Sequence, residues 1–227
     1  MTDDIFTELD RDSFRKFFNQ YTRKAFYMLP KVPKPRILDI GCGSGEPTIE
    51  LAKLCHDGEV IGIDIDQSSL NKLNNKIIAK GLINRVRVMN CSLFNIDFQN
   101  ESFDILWAEG VIATIGFKRG LKAWRRLLKP GGFLVVHDDI KDKDYKLNII
   151  PSCGYKLLNY FMLPEDAWWK GYYSPLEEKV KELSIKYKDN PSILKAIQKY
   201  QDEVNRVKSM KKMNSVFFIM QKMLLIS

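Results

Sequence analysis

Residues 37–45 read Ile37-Leu38-Asp39-Ile40-Gly41-Cys42-Gly43-Ser44-Gly45, an apolar strand that runs into a turn with a glycine at every second position. Glycines spaced in this way let the backbone turn sharply and approach a ligand closely, because a Cβ atom there would collide with the ligand. A second apolar run, Val60–Ile63, ends at Asp64. In a strand–helix–strand unit, an acid at that point lies beside the first turn and accepts both hydrogen bonds of a ribose diol. The sequence therefore predicts a cofactor that carries a nucleoside.

The spacing of the glycines differs from that of a pyrophosphate-binding loop. Asp39 stands before the first glycine of the pattern Asp-x-Gly-x-Gly-x-Gly, whereas the dinucleotide fingerprint is Gly-x-Gly-x-x-Gly. A carboxylate at Asp39 would repel phosphate groups, but it suits a ligand that carries an ammonium and a sulfonium group. We therefore expect a positively charged cofactor rather than a dinucleotide.

This loop resembles the first motif of the class I methyltransferases that depend on S-adenosylmethionine (SAM). The resemblance continues through Gly62–Asp66, Ser102–Trp107 and Leu127–Leu134, in the family's order and at its spacings. The segment 163–175 resembles the equivalent loop of small-molecule methyltransferases related to the UbiE-like enzymes of quinone pathways, and the overall resemblance covers nearly the whole chain. It implies SAM as the cofactor and S-adenosylhomocysteine as the product.

Apolar runs rich in Ile, Val and Leu alternate with helical patterns along much of the chain. Such alternation is typical of a doubly wound α/β fold, in which helices cover both faces of a parallel sheet. The predicted strands lie near 36–40, 59–64, 84–90, 103–108 and 132–137, and the predicted helices lie near 46–54, 68–80 and 118–128. Two more strands, at 155–163 and 214–223, complete a Rossmann-like, mostly parallel sheet of seven strands. The family resemblance implies that the last strand is antiparallel.

We interpret residues 1–227 as a single methyltransferase domain with a helical cap. Aromatic residues at helical spacing predict an N-terminal helix over 11–29, within a cap element at 1–30. An insertion at 164–212 separates the last two strands. Its predicted helices lie at 175–188 and 191–212. We expect both parts to pack over the carboxyl edge of the sheet, because ligands bind there in open α/β sheets.

The composition is that of an ordinary globular protein. Of the 227 residues, 45% are hydrophobic and 28% are charged, which argues against disorder over most of the length. The cysteines form no Cys-x-x-Cys pair, which indicates reduced thiols, a cytoplasmic protein and no structural metal site. The acidic start, Met1–Asp4, is not a secretory signal, and no apolar stretch is long enough to span a membrane.

A net charge of +8 raises the question of nucleic-acid binding. The densest basic stretches, Lys118–Lys129 and Lys208–Lys212, fall within helical patterns and lack the interleaved aromatic side chains that would stack on bases. A solvated helix face explains them, so the sequence favours a small-molecule methyl acceptor over nucleic acid. It specifies neither the acceptor atom nor the oligomeric state.

The resemblance also assigns cofactor contacts. Backbone N–H groups of the glycine turn, at a helix N-terminus, suit the methionine carboxylate, while Asp39 would meet the ammonium group, Asp64 the ribose and Ile65 the adenine face. Many relatives carry an acid after the third strand for the adenine amino group, whereas this chain has Ser92 followed by Leu93. A hydroxyl accepts that hydrogen bond more weakly, so we expect a lower cofactor affinity. The predicted cofactor-binding residues are Asp39, Gly41, Cys42, Gly43, Gly45, Asp64, Ile65, Ser92, Leu93 and Glu109.

Two residues at strand ends are candidates for catalysis. Glu109 follows the fourth predicted strand, near the expected methyl position, where it would neutralise the sulfonium, orient SAM, accept a substrate proton or serve a structural purpose. The Asn/Asp-Pro-Pro-aromatic motif of adenine and glutamine-amide methyltransferases is missing there, which disfavours those substrates. His137 leaves the fifth strand and is the better candidate for a general base, because imidazole titrates near neutral pH. A structural histidine is the alternative.

Large aromatic side chains crowd the predicted loop at 163–175. Loops hold such residues when they pack or bind something. Trp168 and Tyr172 are therefore expected to wall the acceptor pocket, with Tyr21 opposite, and packing of the cap is the alternative. We interpret the chain as an enzyme that transfers a methyl group from SAM to a small molecule. A protein or nucleic-acid methyltransferase and a SAM-binding module without turnover stay open.

Overall fold

The computed structural model describes residues 8–210 and 213–224. One sheet contains the strands β1 Arg36–Ile40, β2 Glu59–Asp64, β3 Val86–Asn90, β4 Phe103–Glu109, β5 Leu128–Asp139, β6 Tyr155–Met162 and β7 Ser215–Lys222. Their order is β3-β2-β1-β4-β5-β7-β6. Strands β1 to β5 pair in parallel, and β7 lies antiparallel between β5 and β6. The predicted doubly wound sheet with an antiparallel last strand is confirmed.

Along the chain, helices lie between most of the strands. Their bounds are α1 Arg11–Arg15, α2 Asn19–Tyr27, α3 Glu46–Leu54, α4 Gln67–Ala79, α5 Ile112–Ile115, α6 Phe117–Trp124, α7 Lys143–Ile149, α8 Ser174–Lys186 and α9 Pro191–Ser209. The central strands are buried on both faces, as their runs of Ile, Val and Leu require. No helix in the described parts of the chain is both long and apolar enough to cross a membrane.

Two predicted elements differ from the structure. The helix predicted over 11–29 is divided by a 3₁₀ turn at Lys16–Phe18. The loop predicted at 163–175 contains a π-helical turn, Trp169–Tyr173, that leads directly into α8. Pro175 lies in the first turn of α8, where a missing N–H is tolerated.

The chain divides into two compact units. The sheet unit contains residues 19–162 and 215–224, and the helical unit contains residues 8–18, 163–210 and 213–214. The assignment of residues 1–30 and 164–212 to a cap stays a prediction.

Within the helical unit, residues of the amino-terminal segment pack on the insertion. The Arg11 guanidinium lies over the rings of Tyr172 and Tyr200, 5.3 and 5.7 Å from their centroids, and pairs with Glu203 at 3.1 Å. The Arg11 Nε also donates a hydrogen bond to the Tyr172 hydroxyl. This contact joins α1 to the π turn and to α9 within one unit.

In the sheet unit, the turn between β1 and α3 requires glycine. Gly45 has a φ of +85°, and a Cβ atom on it would lie 2.1 Å from the Cδ1 of Leu73 on α4. Leu73 is completely buried and cannot move aside. The glycine therefore lets α3 begin directly against α4.

Replacing Gly45 with Ala should lower the free energy of unfolding by roughly 2–4 kcal/mol, because left-handed strain adds to overpacking against Leu73. Gly81→Ala is the matched control. Gly81 has a φ of +66° and open space around it, so only the strain, roughly 1–2 kcal/mol, should remain. Urea denaturation measures both values, and equal losses would contradict the close packing at Gly45.

Candidate functional site

Asp64, at the end of β2, holds the glycine turn in place. One carboxylate oxygen, Oδ2, accepts the Gly43 N–H at 2.8 Å, and Oδ1 accepts the Asp66 N–H at 2.9 Å. The Gly41 and Cys42 amides donate to the Ile63 carbonyl at 2.8 and 3.0 Å. Each oxygen of a carboxylate accepts about two hydrogen bonds, so the half-buried Asp64 keeps acceptor capacity on both oxygens. This geometry suits a diol.

Asp39 lies beneath the turn in β1 and is 1% exposed. Its Oδ2 accepts a hydrogen bond from the Thr48 hydroxyl on α3 at 2.6 Å. Burial, helped by the neighbouring charges of Glu109 and Asp64, raises the pKa of Asp39 to about 7 against the effect of the Thr48 hydrogen bond. The acids of the two neighbouring strands therefore repel a charge on Asp39 at this edge of the sheet.

The Cys42 side chain packs against β2. It is 5% exposed, and a Cβ atom on Gly62 of β2 would lie 2.9 Å from the Cys42 Sγ. Burial raises the pKa of the thiol above its usual range. Cys42 can therefore offer a ligand its backbone amide, and its side chain serves as a small buried group.

The residues predicted on the adenine side lie at the ends of β2 and β3. Ile65 is 71% exposed, and its carbonyl accepts a hydrogen bond from the Asn90 side chain at 3.1 Å. The Ser92 hydroxyl accepts the Phe94 N–H at 3.3 Å. Leu93 packs against the core, and its carbonyl accepts the indole N–H of Trp124 at 3.2 Å. The contact of Ile65 and Ser92 with a ligand stays a prediction.

Glu109 ends β4, and its two carboxylate oxygens have different surroundings. Oε1 accepts the Trp107 indole N–H at 2.7 Å and the Thr22 hydroxyl at 2.8 Å. Oε2 lies 3.8 Å from the Nδ1 of His137. The side chain is 11% exposed, and its burial raises the pKa to about 7 against the effect of the two hydrogen bonds. Glu109 can therefore exchange a proton near neutral pH.

His137 lies opposite Glu109 in the β4–β5 pair. Its Nε2 is 2.8 Å from the Ser215 hydroxyl, and its ring stacks on Phe217 with centroids 4.3 Å apart. Burial lowers the pKa of His137 to about 3, so the ring is neutral at physiological pH. Its assignment as a general base stays a prediction, and a ring with so low a pKa is a weak base.

The aromatic residues predicted at the acceptor site lie in both units. Tyr21 is a half-buried residue of α2 in the sheet unit. Trp168 and Tyr172 contact each other in the helical unit, with ring centroids 6.3 Å apart, and Trp168 also lies 4.5 Å from Phe18. Their predicted contact with an acceptor remains untested.

Sequence reasoning missed Thr22, Thr48 and Trp107, the residues that hold Glu109 and Asp39. Thr22 gave one usable signal, because it interrupts the apolar face of the predicted N-terminal helix. Thr48 and Trp107 gave none, since a threonine in a helix and a tryptophan in a strand are both ordinary. Among the described residues, no group of three His, Cys, Asp or Glu side chains could hold a metal ion.

Comparison with known proteins identifies the part of the chain that builds this site. Residues 37–132 match a family model described as a methyltransferase domain, which covers the glycine turn, Asp64 and Glu109. Over residues 37–132 the chain is therefore similar to methyltransferase domains. The ubiquinone/menaquinone biosynthesis C-methyltransferase UbiE of Teredinibacter turnerae is 32% identical over 133 residues, 54% of this chain and 53% of that protein. The predicted class I relationship with UbiE-like relatives is confirmed.

Two solved structures share the fold. The SAM-dependent methyltransferase from Geobacter sulfurreducens in complex with S-adenosyl-L-homocysteine has a TM-score of 0.73 and 17% identity, and the match covers 88% of this chain and 90% of that one. The 4+2 cyclase SpnF has a TM-score of 0.76 and 18% identity, covering 91% and 82%. The chain spans about half the length of the curated relatives that it matches.

The raised pKa of Glu109 predicts a pH-dependent stability. A carboxyl whose pKa rises from 4.5 to about 7 on folding stabilises the fold fully below pH 4.5, and this contribution is lost as pH rises through about 7. Relative to Glu109→Gln, which does not titrate, the wild type should lose on the order of 1–3 kcal/mol between about pH 5 and about pH 8. His137 titrates in both proteins, so its contribution to the pH dependence cancels in the comparison. Urea denaturation at the two pH values measures the difference, and parallel losses would contradict it.

Proposed function

We propose that the protein is an enzyme that transfers a methyl group from SAM to a small-molecule acceptor. The observation that carries the proposal is the buried Asp39, whose neighbours Asp64 and Glu109 add negative charge beside a glycine turn that matches a methyltransferase-domain model. SAM brings a sulfonium and an ammonium group, and these positive charges would offset the repulsion. The relative named as a C-methyltransferase supports the same reaction class.

The residues of the turn fit the rest of the cofactor. Gly41, Gly43 and Gly45 all have positive φ values, between +52° and +85°, so the backbone turns repeatedly at the N-terminus of α3, where anions bind well. We assign the methionine carboxylate to this turn, the ribose diol to Asp64 and the adenine face to Ile65. Asp39, held by Thr48, would attract the ammonium group through its charge.

When bound, SAM supplies a methyl group on a positive sulfur, and the acceptor's lone pair forms the new bond while the old bond's electron pair stays on sulfur. The chain contributes alignment and exclusion of water, for which proximity supplies on the order of 7–11 kcal/mol. An acceptor with an O–H, N–H or S–H group also loses a proton. Glu109 Oε2 is the atom to which we assign that proton, and the Trp107 and Thr22 donors on Oε1 keep the carboxyl group in place.

Replacing Asp64 with Asn tests the cofactor site. An amide nitrogen cannot accept the hydrogen bond of a ribose hydroxyl or of the Gly43 N–H, so SAM affinity should fall about tenfold or more. Asp57→Ala is the control, because Asp57 is exposed in the turn before β2 and its loss should leave affinity unchanged. Calorimetric titration with SAM and S-adenosylhomocysteine measures both. A folded wild-type protein that binds neither ligand would overturn the proposal.

A transfer assay separates the small-molecule acceptor from the alternatives. The enzyme is incubated with SAM labelled in its methyl group and with the small-molecule or macromolecular fraction of a cell extract. We expect label in the small-molecule fraction. Label in protein or nucleic acid would instead favour a macromolecular substrate, and bound SAM without transfer to either fraction would favour a binding module without turnover.

A further inference from the structure

Glu109 has one oxygen committed to the protein and one that is not. Oε1 accepts two hydrogen bonds, from the Trp107 indole and the Thr22 hydroxyl, which use the acceptor capacity of a carboxyl oxygen. Oε2 faces the Nδ1 of His137 at 3.8 Å, beyond hydrogen-bond distance. A proton on Glu109 must therefore lie on Oε2.

Among the described residues, no cation pairs with Glu109, so burial disfavours its ionisation. From β1, the Asp39 carboxyl adds negative charge. From β5, His137 is neutral because it is buried. From α2, Thr22 offers a neutral donor, and within β4 Trp107 offers another. Apart from Asp39, the other buried acids of the sheet unit have cationic partners, as Glu50 has Arg23 at 2.5 Å.

We infer that Glu109 carries a proton on Oε2 while its surroundings hold no cation, and that a bound sulfonium makes it release this proton. The inference rests on the proposed function, since it takes SAM as the ligand. The physical reason is that a positive charge near a buried carboxylate supplies the stabilisation that burial removes. A pKa near 7 places the exchange in the physiological range.

The inference makes Glu109 a sensor of the cofactor's methyl group. SAM and S-adenosylhomocysteine share the ammonium and carboxylate groups and differ by one positive charge at sulfur. Only SAM should therefore displace the Glu109 proton, and its affinity should rise with pH up to the pKa of Glu109, by as much as about tenfold per pH unit. The affinity for S-adenosylhomocysteine should not gain this dependence, so discrimination between cofactor and product increases with pH.

The experiment is calorimetric titration of the full chain with SAM and with S-adenosylhomocysteine, from about pH 5.5 to about pH 8.5, in buffers of different ionisation enthalpy. The difference between buffers gives the number of protons released. At about pH 6 we expect SAM to release up to about one proton more than S-adenosylhomocysteine does. Glu109→Gln should abolish this excess. Asp39→Asn should retain it, because the ammonium group that faces Asp39 is common to both ligands.

Thr22→Val gives a second test that leaves the charge of Glu109 unchanged. Removing one donor from Oε1 should raise the pKa of Glu109, since that hydrogen bond lowers it. The pH at which SAM-linked proton release is half complete should therefore move upward. A purely structural role for Thr22 would change affinity and leave this midpoint in place.

The possible results separate the two proposals. Binding of both ligands with equal proton release, or an excess that survives in Glu109→Gln, would overturn the role of Glu109 and leave the cofactor assignment standing. The amino groups of the ligands titrate in every variant, so they cancel in the comparison with Glu109→Gln. Binding of neither ligand by the folded wild type would overturn the proposed function together with this inference.

Discussion

The Asp64 carboxylate joins the carboxyl ends of β1 and β2, and the candidate site depends on this connection. Its Oδ2 holds the Gly43 amide, and the Ile63 carbonyl holds the two residues before it. Without these bonds the glycine turn would have several conformations of similar energy, because glycine restricts the backbone least. The parallel pairing of β1 with β2 brings Asp64 beside the glycine turn. The register of the sheet therefore also fixes the geometry of the site.

The site differs electrostatically from the rest of the sheet unit. Buried acids elsewhere have cationic partners, as Asp138 has Lys146 at 2.7 Å, and such pairs satisfy the charge within the fold. Asp39 and Glu109 are held by neutral donors, Thr48, Trp107 and Thr22. Neutral donors fix the position of a carboxyl group without compensating its charge. The fold therefore places two acids of raised pKa at one edge of the sheet, where a cation would stabilise them.

The shared fold does not decide the reaction. A structure named as a cyclase and one named as a methyltransferase match this chain with similar TM-scores, 0.76 and 0.73. Fold similarity at this level of sequence identity shows how the strands are connected. It does not show the reaction, because the chemistry depends on individual side chains. We assign the chemistry here to Asp64, Asp39 and Glu109, which lie within the residues that match a methyltransferase-domain model.

The sequence by itself determined the strand–helix alternation, the glycine turn and the acid at the end of β2. These follow from local patterns, because apolar runs, glycine spacing and strand ends are properties of neighbouring residues. It also placed Glu109 and His137 at strand ends. Only the tertiary structure decided their distant contacts, since Thr22 meets Glu109 across 87 positions of the chain and Ser215 meets His137 across 78. Burial likewise set their pKa values in opposite directions, and burial depends on packing from several elements at once, which no local pattern encodes.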